Sequence, residues 1–442
     1  MKPIRYALAL LFVATTAFAQ DTARMEQVIQ SYVQSRTFMG AVLVARGTDV
    51  LMSKGYGSAN LEWDIPNSPT TKFRLGSITK QFTAASILLL EERGKLSTSD
   101  PIKKHMPDAP AAWDAITIHH LLTHTAGIPN FTSLPEYMGL RGTSTTVEKT
   151  IATFRDRPLD FPAGTKMVYS NSGYLVLGHV IEKLTGDSYE KFVQDHLFTP
   201  IGMIDSGYDS NTRVIARRAD GYLPGPNGFV NAGFVHMTVP HAAGALFSTT
   251  GDMLKWERAL LDGRVLTAAS LQKMLTPEKN DYGYGLIVRS VNGHRQVWHN
   301  GGIDGFNTSM AYYPESALTI VVLGNVNGNA PDLLLAQLAA VAHGDTVQLT
   351  SERTAIALPA VAAKYAGVYE LRPDITMTIF VEGARMFGQL TGQQRIEMYA
   401  ESDTAFFVKL VDAQVTFSVD GGGVVTHLVL HQAGRDMKGV RK

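Results

Sequence analysis

A run of apolar residues from Ala84 to Leu90, interrupted only by Ser86, is the feature that most constrains how this chain folds. A helix that is apolar on nearly every side has no face for water and is buried, usually at the centre of a domain. Ser77 and Lys80 lie just before the run, so Lys80 is carried into the buried helix. The sequence therefore predicts a central buried helix with a candidate site at its start.

Strand patterns flank a mainly helical middle region. Residues 40–45 and 50–52 indicate two strands joined by a turn, and strand patterns return at 284–288, 309–313 and 319–323. Pro331 then opens a helix rich in Leu and Ala that ends by Gly344. Strands at both ends with helices between them predict one α/β (α+β) domain, residues 20–345, whose sheet is assembled from its two ends.

The last part of the chain changes to short strand patterns. Apolar residues alternate along 375–381 and again along 415–419, and no helical pattern separates them. Strands this short and evenly spaced predict a small all-β domain, a barrel or a sandwich, over residues 360–442. The polar, mixed stretch 346–359 is the predicted linker.

The first 19 residues follow the arrangement of a secretory signal peptide, with a charged start, an apolar run and a small-residue end. Lys2 and Arg5 precede an apolar run, and Ala17-Phe18-Ala19 supplies a small-residue cleavage site. The run is shorter than the roughly 20 residues that a membrane-spanning helix needs, although an uncleaved anchor is the alternative. We expect an exported protein, periplasmic or secreted, with no membrane span.

Composition excludes several classes of function. Lys and Arg together number 40, and Asp and Glu together number 40, so the net charge is zero. The chain therefore lacks the excess of positive charge that favours nucleic acid as a partner. The chain has no Cys, which excludes a thiol nucleophile, thiolate-bound zinc, iron–sulfur clusters and disulfides. We expect no cofactor and no metal.

The S-x-x-K pattern occurs three times, beginning at Ser77, Ser188 and Ser270. Ser188 is interpreted as a helix cap, and Ser270 as part of a polar helix face. Ser77 differs because Lys80 enters the buried helix, where residues three apart share a face and burial favours a neutral, basic amine. The alternative is that Ser77 only caps the helix and the lysine side chain reaches out to water.

Two further motifs favour a catalytic interpretation. Tyr169-Ser170-Asn171 is the only Y-x-N among the 16 tyrosines, and a helix pattern follows it. A tyrosine near a lysine can act as a base, and an Asn amide can hold a substrate carbonyl. The third motif, His299-Asn300-Gly301 followed by Gly302, is predicted just before a strand, where glycines let a substrate approach the backbone.

Taken in this order, S-x-x-K, Y-x-N and H-x-G resemble the serine hydrolases of the class C β-lactamase and penicillin-binding-protein superfamily. The flanking segments 73–77, 121–129, 247–252 and 299–306 match as well, and the similarity spans roughly residues 25 to 345. The resemblance implies a β-lactamase/DD-peptidase-like domain with an antiparallel sheet. The C-terminal unit, with Tyr365 to Tyr369 near its start, resembles the small lipocalin-like domain appended to some members.

The resemblance also implies roles for individual residues. Ser77 would be the acyl-accepting nucleophile, with Lys80 and Tyr169 as the coupled base, and which of the two is the formal base stays open. Asn171 would orient the substrate's acyl amide or the lysine amine. The backbone N–H groups of Ser77 and Gly302 would form the oxyanion hole, and His299, Gly301 and Gly302 would line the substrate site.

One departure from the family pattern concerns substrate choice. Where β-lactamases have K-T-G, this chain has His299-Asn300-Gly301, and a mostly neutral His recognises a substrate carboxylate less well than Lys does. We therefore expect a serine hydrolase of small esters or D-amino-acid amides and peptides. The alternatives are a true β-lactamase or D-Ala-D-Ala carboxypeptidase and, from another class, a non-catalytic binding module that keeps the fold.

Several other residues are weaker candidates. His120 and His124 stand four apart and could share a metal, but no acidic residue completes a ligand set. Tyr137 is a candidate substrate contact on a variable loop. Assembly into oligomers through the C-terminal domain is a further expectation, and that domain is equally well interpreted as a stabilising appendage. The remaining candidates are the possible pocket or packing residues His236, His241, Tyr282 and Tyr284, and the basic cluster Arg213, Arg217 and Arg218, interpreted as a solvated face.

Overall fold

The computed structural model describes residues 21–225, 228–349, 352–409, 413–432 and 435–442, so the predicted signal peptide (1–19) lies outside the described residues. The chain divides into two compact units. The larger is Thr37–Ala339, and the other combines the residues up to Arg36 with Ala340–Lys442. In the described ranges, no helix combines the length and the apolar character that crossing a bilayer requires.

A six-stranded antiparallel sheet forms the frame of the larger unit, with the order β3-β4-β5-β6-β1-β2. The hairpin β1-β2 completes a sheet begun by the last four strands, and Val44 of β1 lies opposite Ile320 of β6. The prediction of one sheet built from both ends of the domain is confirmed. In chain order the strands are β1 (Gly40–Arg46), β2 (Asp49–Tyr56), β3 (Ile287–Val291), β4 (His294–Ile303), β5 (Phe306–Tyr313) and β6 (Leu318–Gly324).

Four longer helices carry most of the helical core. They are α1 (Thr79–Glu92), α2 (Asn171–Thr185), α3 (Thr250–Leu261) and α4 (Ala330–His343). From Thr79 to Leu88 every residue of α1 is buried, as the apolar run predicts, and the side chains of Phe82 and Trp256 are in contact at 4.2 Å between ring centroids. Helix α1 therefore lies inside the core of the larger unit.

Shorter elements connect these parts. The short helices are Ile118–Leu122, Tyr137–Leu140, Val147–Ala152, Tyr189–Val193, Thr199–Ile201, His241–Gly244 and Ala268–Leu275, with a π-helical turn at Gln194–Phe198. The 3-10 turns are Gly76–Ile78, Ile102–Lys104, Ala111–Trp113, Phe131–Ser133, Pro314–Ser316 and, in the other unit, Ala360–Tyr365. The short strands are Ser58–Asn60, Ile65–Pro66, Phe73–Arg74, Gly207–Tyr208, Tyr222–Gly225, Gly228–Asn231 and Leu246–Ser248.

Two strand predictions need correction. The strand predicted from Tyr284 begins only at Ile287, because Gly285 has φ +73° and its backbone lies against the carbonyl of Lys80. The His299–Gly302 motif was predicted just before a strand but lies inside β4. Its residues pair with β5, and His299 lies opposite Met310. The motif is therefore held by backbone pairing with β5.

The C-terminal unit is a closed antiparallel barrel of eight strands, which decides between the barrel and the sandwich that the sequence allowed. Tyr369 on the first strand pairs with Arg441 on the last, and this pairing closes the barrel. Its interior holds stacked aromatic rings, with Tyr365 and Phe417 4.1 Å apart. The strands are β7 (Gly367–Arg372), β8 (Ile375–Glu382), β9 (Arg385–Leu390), β10 (Ile396–Ala400), β11 (Ala405–Val408), β12 (Ala413–Val419), β13 (Val425–Gln432) and β14 (Arg435–Arg441).

Two other segments belong to the same unit as the barrel. Residues 21–34 are helical, and Arg24 forms an ion pair with Glu352. Ile356, within the predicted linker 346–359, donates a backbone hydrogen bond to Ala400 of β10 at 2.9 Å. The segment before the first barrel strand is thereby attached to the barrel wall.

Candidate active site

Ser77 lies in the 3-10 turn Gly76–Ile78, which leads directly into α1. Lys80 follows three residues later, and because residues at this spacing share a helix face, its Nζ lies 3.0 Å from Ser77 Oγ. Gly76 has φ +54°, a conformation that favours glycine, and it turns the chain from the strand Phe73–Arg74 into the helix. The local sequence thus places a serine hydroxyl beside a lysine amine.

The Lys80 amine is fully buried and has three hydrogen-bond partners. Besides Ser77, it donates to Asn171 Oδ1 and to the backbone carbonyl of Ala243, each at 2.8 Å. Burial lowers the pKa of Lys80 well below the usual value for lysine, which favours the neutral amine. A neutral amine has two N–H groups and one lone pair. Since the two carbonyl oxygens can only accept hydrogen bonds, the lone pair is left for the Ser77 hydroxyl proton.

Tyr169 lies two residues before α2, and its ring faces the lysine. Lys80 Nζ is 4.9 Å from the centre of this ring. The phenol oxygen is buried and has no hydrogen bond of regular geometry among the described residues. Burial raises the pKa of Tyr169, an effect that the neighbouring Ser77 hydroxyl partly offsets. At neutral pH this side chain is therefore a phenol rather than a phenolate.

Asn171 is the first residue of α2 and connects three segments. Its Oδ1 accepts from Lys80, and its Nδ2 donates to Thr132 Oγ1 at 3.2 Å. Its backbone N–H donates to Asn130 Oδ1 at 3.0 Å, which ties the start of α2 to the turn Phe131–Ser133. These bonds fix the orientation of the amide, so its oxygen faces the lysine.

Strand β4 approaches the Ser77 turn closely because it carries two glycines. A Cβ on Gly301 would lie 1.9 Å from the carbonyl oxygen of Leu75, and one on Gly76 would lie 2.8 Å from Gly302 N. The backbone of β4 therefore contacts the residues just before the serine. Two backbone N–H groups, of Ser77 and Gly302, belong to these neighbouring segments, the arrangement from which an oxyanion hole is built.

His299 is buried in β4 with a tyrosine on one side. Its Nε2 lies 3.0 Å from Tyr282 Oη, and its Nδ1 lies 2.5 Å from the carbonyl oxygen of Asn300. Burial, with a smaller effect from Lys80, lowers the pKa of His299 to about 3. The imidazole is neutral at physiological pH, so it offers no cation to a substrate carboxylate.

His124 also belongs to this site, although its sequence position did not predict that contact. The structure places its ring 4.2 Å from that of Tyr169 and 4.6 Å from that of Tyr282, measured between centroids. Its φ of +57° is unusual for a residue other than glycine, and its Nε2 is buried without a hydrogen-bond partner among the described residues. The signal was present in the sequence, since His124 stands in the matched segment 121–129, but its spacing from Tyr169 carried no information about contact.

A cavity of about 210 Å³ opens beside Ser77. Tyr137, predicted as a substrate contact, lies in its wall together with Asn171 and Gly302. The other lining residues are mostly apolar. They are Gly76, Phe131, Thr132, Val235, Val239, Pro240, Ala243, Gly244, Ile303 and Asp304.

The alternative S-x-x-K sites lack this arrangement. Ser188 accepts a hydrogen bond from Lys191 N and caps the helix Tyr189–Val193, as predicted. Ser270 is buried rather than on a polar face, since it packs at the start of Ala268–Leu275 beside Thr267, while Lys273 forms an ion pair with Glu91.

The weaker candidates lie apart from the serine or have other partners. His120 Nδ1 accepts from Thr117 N in a helix cap. His241 contacts Tyr208 Oη, and His236 contacts Thr238 Oγ1. Across the described ranges, no group of three or more His, Asp and Glu residues could hold a metal ion. Each member of the basic cluster has an acidic partner: Arg213 pairs with Glu190, Arg217 with Asp205 and Arg218 with Asp209.

Comparison with known proteins agrees with this geometry. Residues 25–344 match the family model described as beta-lactamase, and residues 352–441 match a domain of unknown function, DUF3471. The chain therefore belongs to the beta-lactamase family, which has serine hydrolase members, and it carries an additional C-terminal domain. The resemblance inferred from the three motifs is confirmed.

Three similar proteins illustrate the relationship. A penicillin-binding protein of Bacillus subtilis (strain 168) is 28% identical, with 94% of this chain and 98% of that protein covered. The octameric penicillin-binding protein homologue from Pyrococcus abyssi is 25% identical, with a TM-score of 0.68 over 94% of this chain and 99% of that one. A D-stereospecific amidohydrolase from Streptomyces shares the fold, at 24% identity and a TM-score of 0.63 over 73% of this chain and 99% of the other.

Proposed function

We propose that this protein is an exported serine hydrolase that cleaves small esters or D-amino-acid amides and peptides through an acyl-enzyme on Ser77. The observation that carries the proposal is the Lys80 amine, buried and 3.0 Å from Ser77 Oγ. Its other two hydrogen bonds go to carbonyl oxygens, which leaves the lone pair of the neutral amine for the serine proton. Membership of the beta-lactamase family supports the same chemistry.

In the first step, Ser77 Oγ attacks the acyl carbon while its proton passes to Lys80 Nζ. Lys80 is the better candidate for the base, because burial lowers its pKa and raises that of Tyr169. Tyr169, as a neutral phenol beside the lysine, donates a hydrogen bond and relays the proton toward the leaving group. The N–H groups of Ser77 and Gly302 receive the negative charge that develops on the carbonyl oxygen. The leaving group takes the proton, and water then attacks the acyl-enzyme.

Substrate choice follows from the missing cation at the His299 position. A buried imidazole with a pKa near 3 cannot attract a carboxylate, which weakens the case for a β-lactamase or a D-Ala-D-Ala carboxypeptidase. The fold shared with a D-stereospecific amidohydrolase supports amides of D-amino acids as candidate substrates. Asn171, fixed between Lys80 and Thr132, would orient the acyl portion.

Export and assembly complete the proposal. The charged, apolar and small-residue order of residues 1–19 supports a cleaved signal and a periplasmic or secreted location. The homologue from Pyrococcus abyssi, similar over 94% of this chain, is octameric, which supports assembly of this protein into oligomers.

The test compares the parent with Ser77→Ala on p-nitrophenyl butyrate and on D-alanyl p-nitroanilide. Ser188→Ala is the matched control, since it removes the serine of another S-x-x-K pattern that only caps a helix. We expect turnover by the parent and by Ser188→Ala, and loss of turnover in Ser77→Ala. Equal rates in Ser77→Ala would show that the nucleophile is assigned wrongly, and no turnover of either substrate by the parent would favour a binding module.

Mass spectrometry of the intact protein after incubation with benzylpenicillin distinguishes the proposed hydrolase from a β-lactamase or a D-Ala-D-Ala carboxypeptidase. A stable adduct, or destruction of the penicillin, that depends on Ser77 would favour a penicillin-binding protein or a β-lactamase despite His299. An unmodified protein with intact penicillin supports esters and D-amino-acid amides.

A further inference from the structure

The cavity beside Ser77 has one acidic side chain in its wall. Of its described lining residues, Asp304 is the only carboxylic acid, and none is Lys, Arg or His. The Lys80 amine is not among the lining residues, and the site's other basic side chain, His299, is neutral. A ligand in this cavity therefore meets one carboxyl group among neutral polar and apolar side chains.

Asp304 is held in place by an arginine from a distant segment. Arg141 Nη2 donates to Asp304 Oδ1 at 2.5 Å, and both side chains are mostly buried, at 19% and 25% exposure. Gly233 passes over the pair, where a Cβ would lie 2.5 Å from Arg141 Nη2. Three segments thus meet to fix this carboxylate at the end of β4, two residues after Gly302.

The bond from Arg141 uses only one carboxylate oxygen. The second oxygen of Asp304 has no hydrogen-bond partner among the described residues. A carboxylate that is fixed at one oxygen and free at the other can accept a bond from an incoming donor without reorganising. Arg141 does not line the cavity, so the group presented to a ligand is the acid.

The size of the cavity limits what the carboxylate can contact. A volume of about 210 Å³ is below the about 300–1,000 Å³ of sites for drug-sized ligands. It fits an acyl group of roughly the size of one amino acid. An acyl group attached to Ser77 and filling this space brings its substituents to the wall that Asp304 forms.

We propose that Asp304 binds a primary ammonium group on the acyl portion of the substrate, so that the enzyme prefers aminoacyl substrates with a free amine. The inference rests on the proposed function and deepens it. It selects, from the esters and amides named above, those whose acyl group is an amino acid with an unblocked amino group. N-acylated substrates and acyl groups without nitrogen would bring no charged donor to the second oxygen of Asp304.

The test compares D-alanine methyl ester, N-acetyl-D-alanine methyl ester and methyl propionate at pH 6.5, with p-nitrophenyl butyrate as an independent measure of Ser77 chemistry. We expect kcat/KM for the free amine to exceed that for each amine-free ester by at least about tenfold, the effect of one hydrogen bond to a charged group. The preference should fall as pH rises past about 8, where the α-amine loses its proton.

Asp304→Asn removes the carboxylate at nearly constant shape and should bring the ratio of kcat/KM between D-alanine methyl ester and methyl propionate down to about one. Asp205→Asn is the matched control, since Asp205 is also paired with an arginine and is 24% exposed, but lies outside the cavity. Because the measured quantity is a ratio between substrates within one variant, partial loss of folded protein cancels.

The outcomes separate this inference from the proposed function. If the parent hydrolyses p-nitrophenyl butyrate but shows no preference for the free amine, the role of Asp304 is wrong and the hydrolase stands. If Asp304→Asn keeps the parent's preference, the ammonium binds elsewhere and the inference is overturned. If no ester is hydrolysed, the proposed function fails and this inference fails with it.

Discussion

The imidazole of His124 lies against the phenol ring of Tyr169, with 4.2 Å between the ring centroids. The same histidine holds the chain on both sides of this tyrosine. Its Nδ1 accepts a hydrogen bond from Ser170 N at 3.2 Å, and its carbonyl oxygen accepts one from Val168 N at 3.0 Å. His124 therefore fixes the backbone and the ring of Tyr169 together.

Two substitutions at His124 separate the ring from the hydrogen bond. His124→Asn keeps an acceptor and tolerates the positive φ of this position, whereas His124→Phe keeps a ring and loses the acceptor. We expect each to lower kcat by about tenfold or more with little change in KM, because Tyr169 is displaced while the substrate cavity is intact. Steady-state kinetics on p-nitrophenyl butyrate measures both values.

His179→Asn is the control for this pair, because His179 is also buried but lies on α2 away from Tyr169. It should change stability and leave kcat unaltered. If both His124 variants retain the parent's kcat, contact with the imidazole is not needed to position Tyr169.

The buried Lys80 amine predicts the shape of the pH profile. Burial lowers the pKa of Lys80, and only the deprotonated amine can take the proton of Ser77. Activity should therefore be low below this depressed pKa, rise as pH passes through it, and reach its plateau well below pH 10.5, the ordinary pKa of a lysine. The measurement is kcat/KM as a function of pH. A rise that begins only near pH 10 would contradict a neutral base.

Lys80→Arg is the matched variant, since guanidinium keeps its charge at all accessible pH values. We expect a loss of about 10²–10⁴-fold in kcat, the usual contribution of a general base. Activity close to that of the parent would move the role of base to Tyr169.

Gly301 and Gly302 are adjacent in β4, but substitution of each by alanine should affect stability and activity to different extents. A Cβ on Gly301 would lie 1.9 Å from the backbone carbonyl oxygen of Leu75 and 2.6 Å from Thr308 Oγ1, so the backbone itself would have to shift. Gly301→Ala should therefore lower the free energy of unfolding by about 1–3 kcal/mol or more and reduce activity by separating β4 from the Ser77 turn.

Gly302→Ala is the comparison, because its Cβ would meet only the end of the Asn307 side chain, at 3.3 Å. It keeps the N–H group proposed for the oxyanion hole and should be close to the parent in stability. Chemical denaturation and butyrate hydrolysis test both variants. Equal stability of the two would mean that β4 is not packed against Leu75.

Glu257 on α3 predicts a dependence of stability on pH. Its carboxyl is 7% exposed, accepts a hydrogen bond from Thr319 at 2.6 Å, and burial raises its pKa from 4.5 to about 7. The folded protein binds this proton more tightly than the unfolded chain does. Stability from this group is therefore complete below pH 4.5 and is lost as pH rises to about 7, by about 3 kcal/mol.

Glu257→Gln keeps an acceptor for Thr319 and cannot ionise. We expect the variant to be more stable than the parent above pH 7, with the difference disappearing near pH 4.5, as measured by chemical denaturation across this range. Glu315→Gln, at an exposed position, should leave the profile unchanged. A parent profile that is flat between pH 4.5 and 7 would refute the buried acid.

Much of the fold was predictable because it depends on local periodicity. The apolar run after Lys80 can only be buried as a helix, and the strand patterns at both ends of the domain have no other partners to complete a sheet. Helix spacing likewise places Lys80 beside Ser77, since three residues separate them. One strand prediction was wrong because of a single backbone angle, the +73° φ of Gly285, which delays the start of β3.

The sequence by itself determined the buried helix, the sheet, the all-β C-terminal unit and the residue types of the candidate site. Only the tertiary structure decided which side chains meet. The contacts of His124 with Tyr169, of Lys80 with the Ala243 carbonyl and of Arg141 with Asp304 join residues 45 to 163 positions apart in the chain. Periodicity reports the face of an element on which a residue lies. Contacts between segments depend on the course of the loops that connect them, and no local pattern specifies that course.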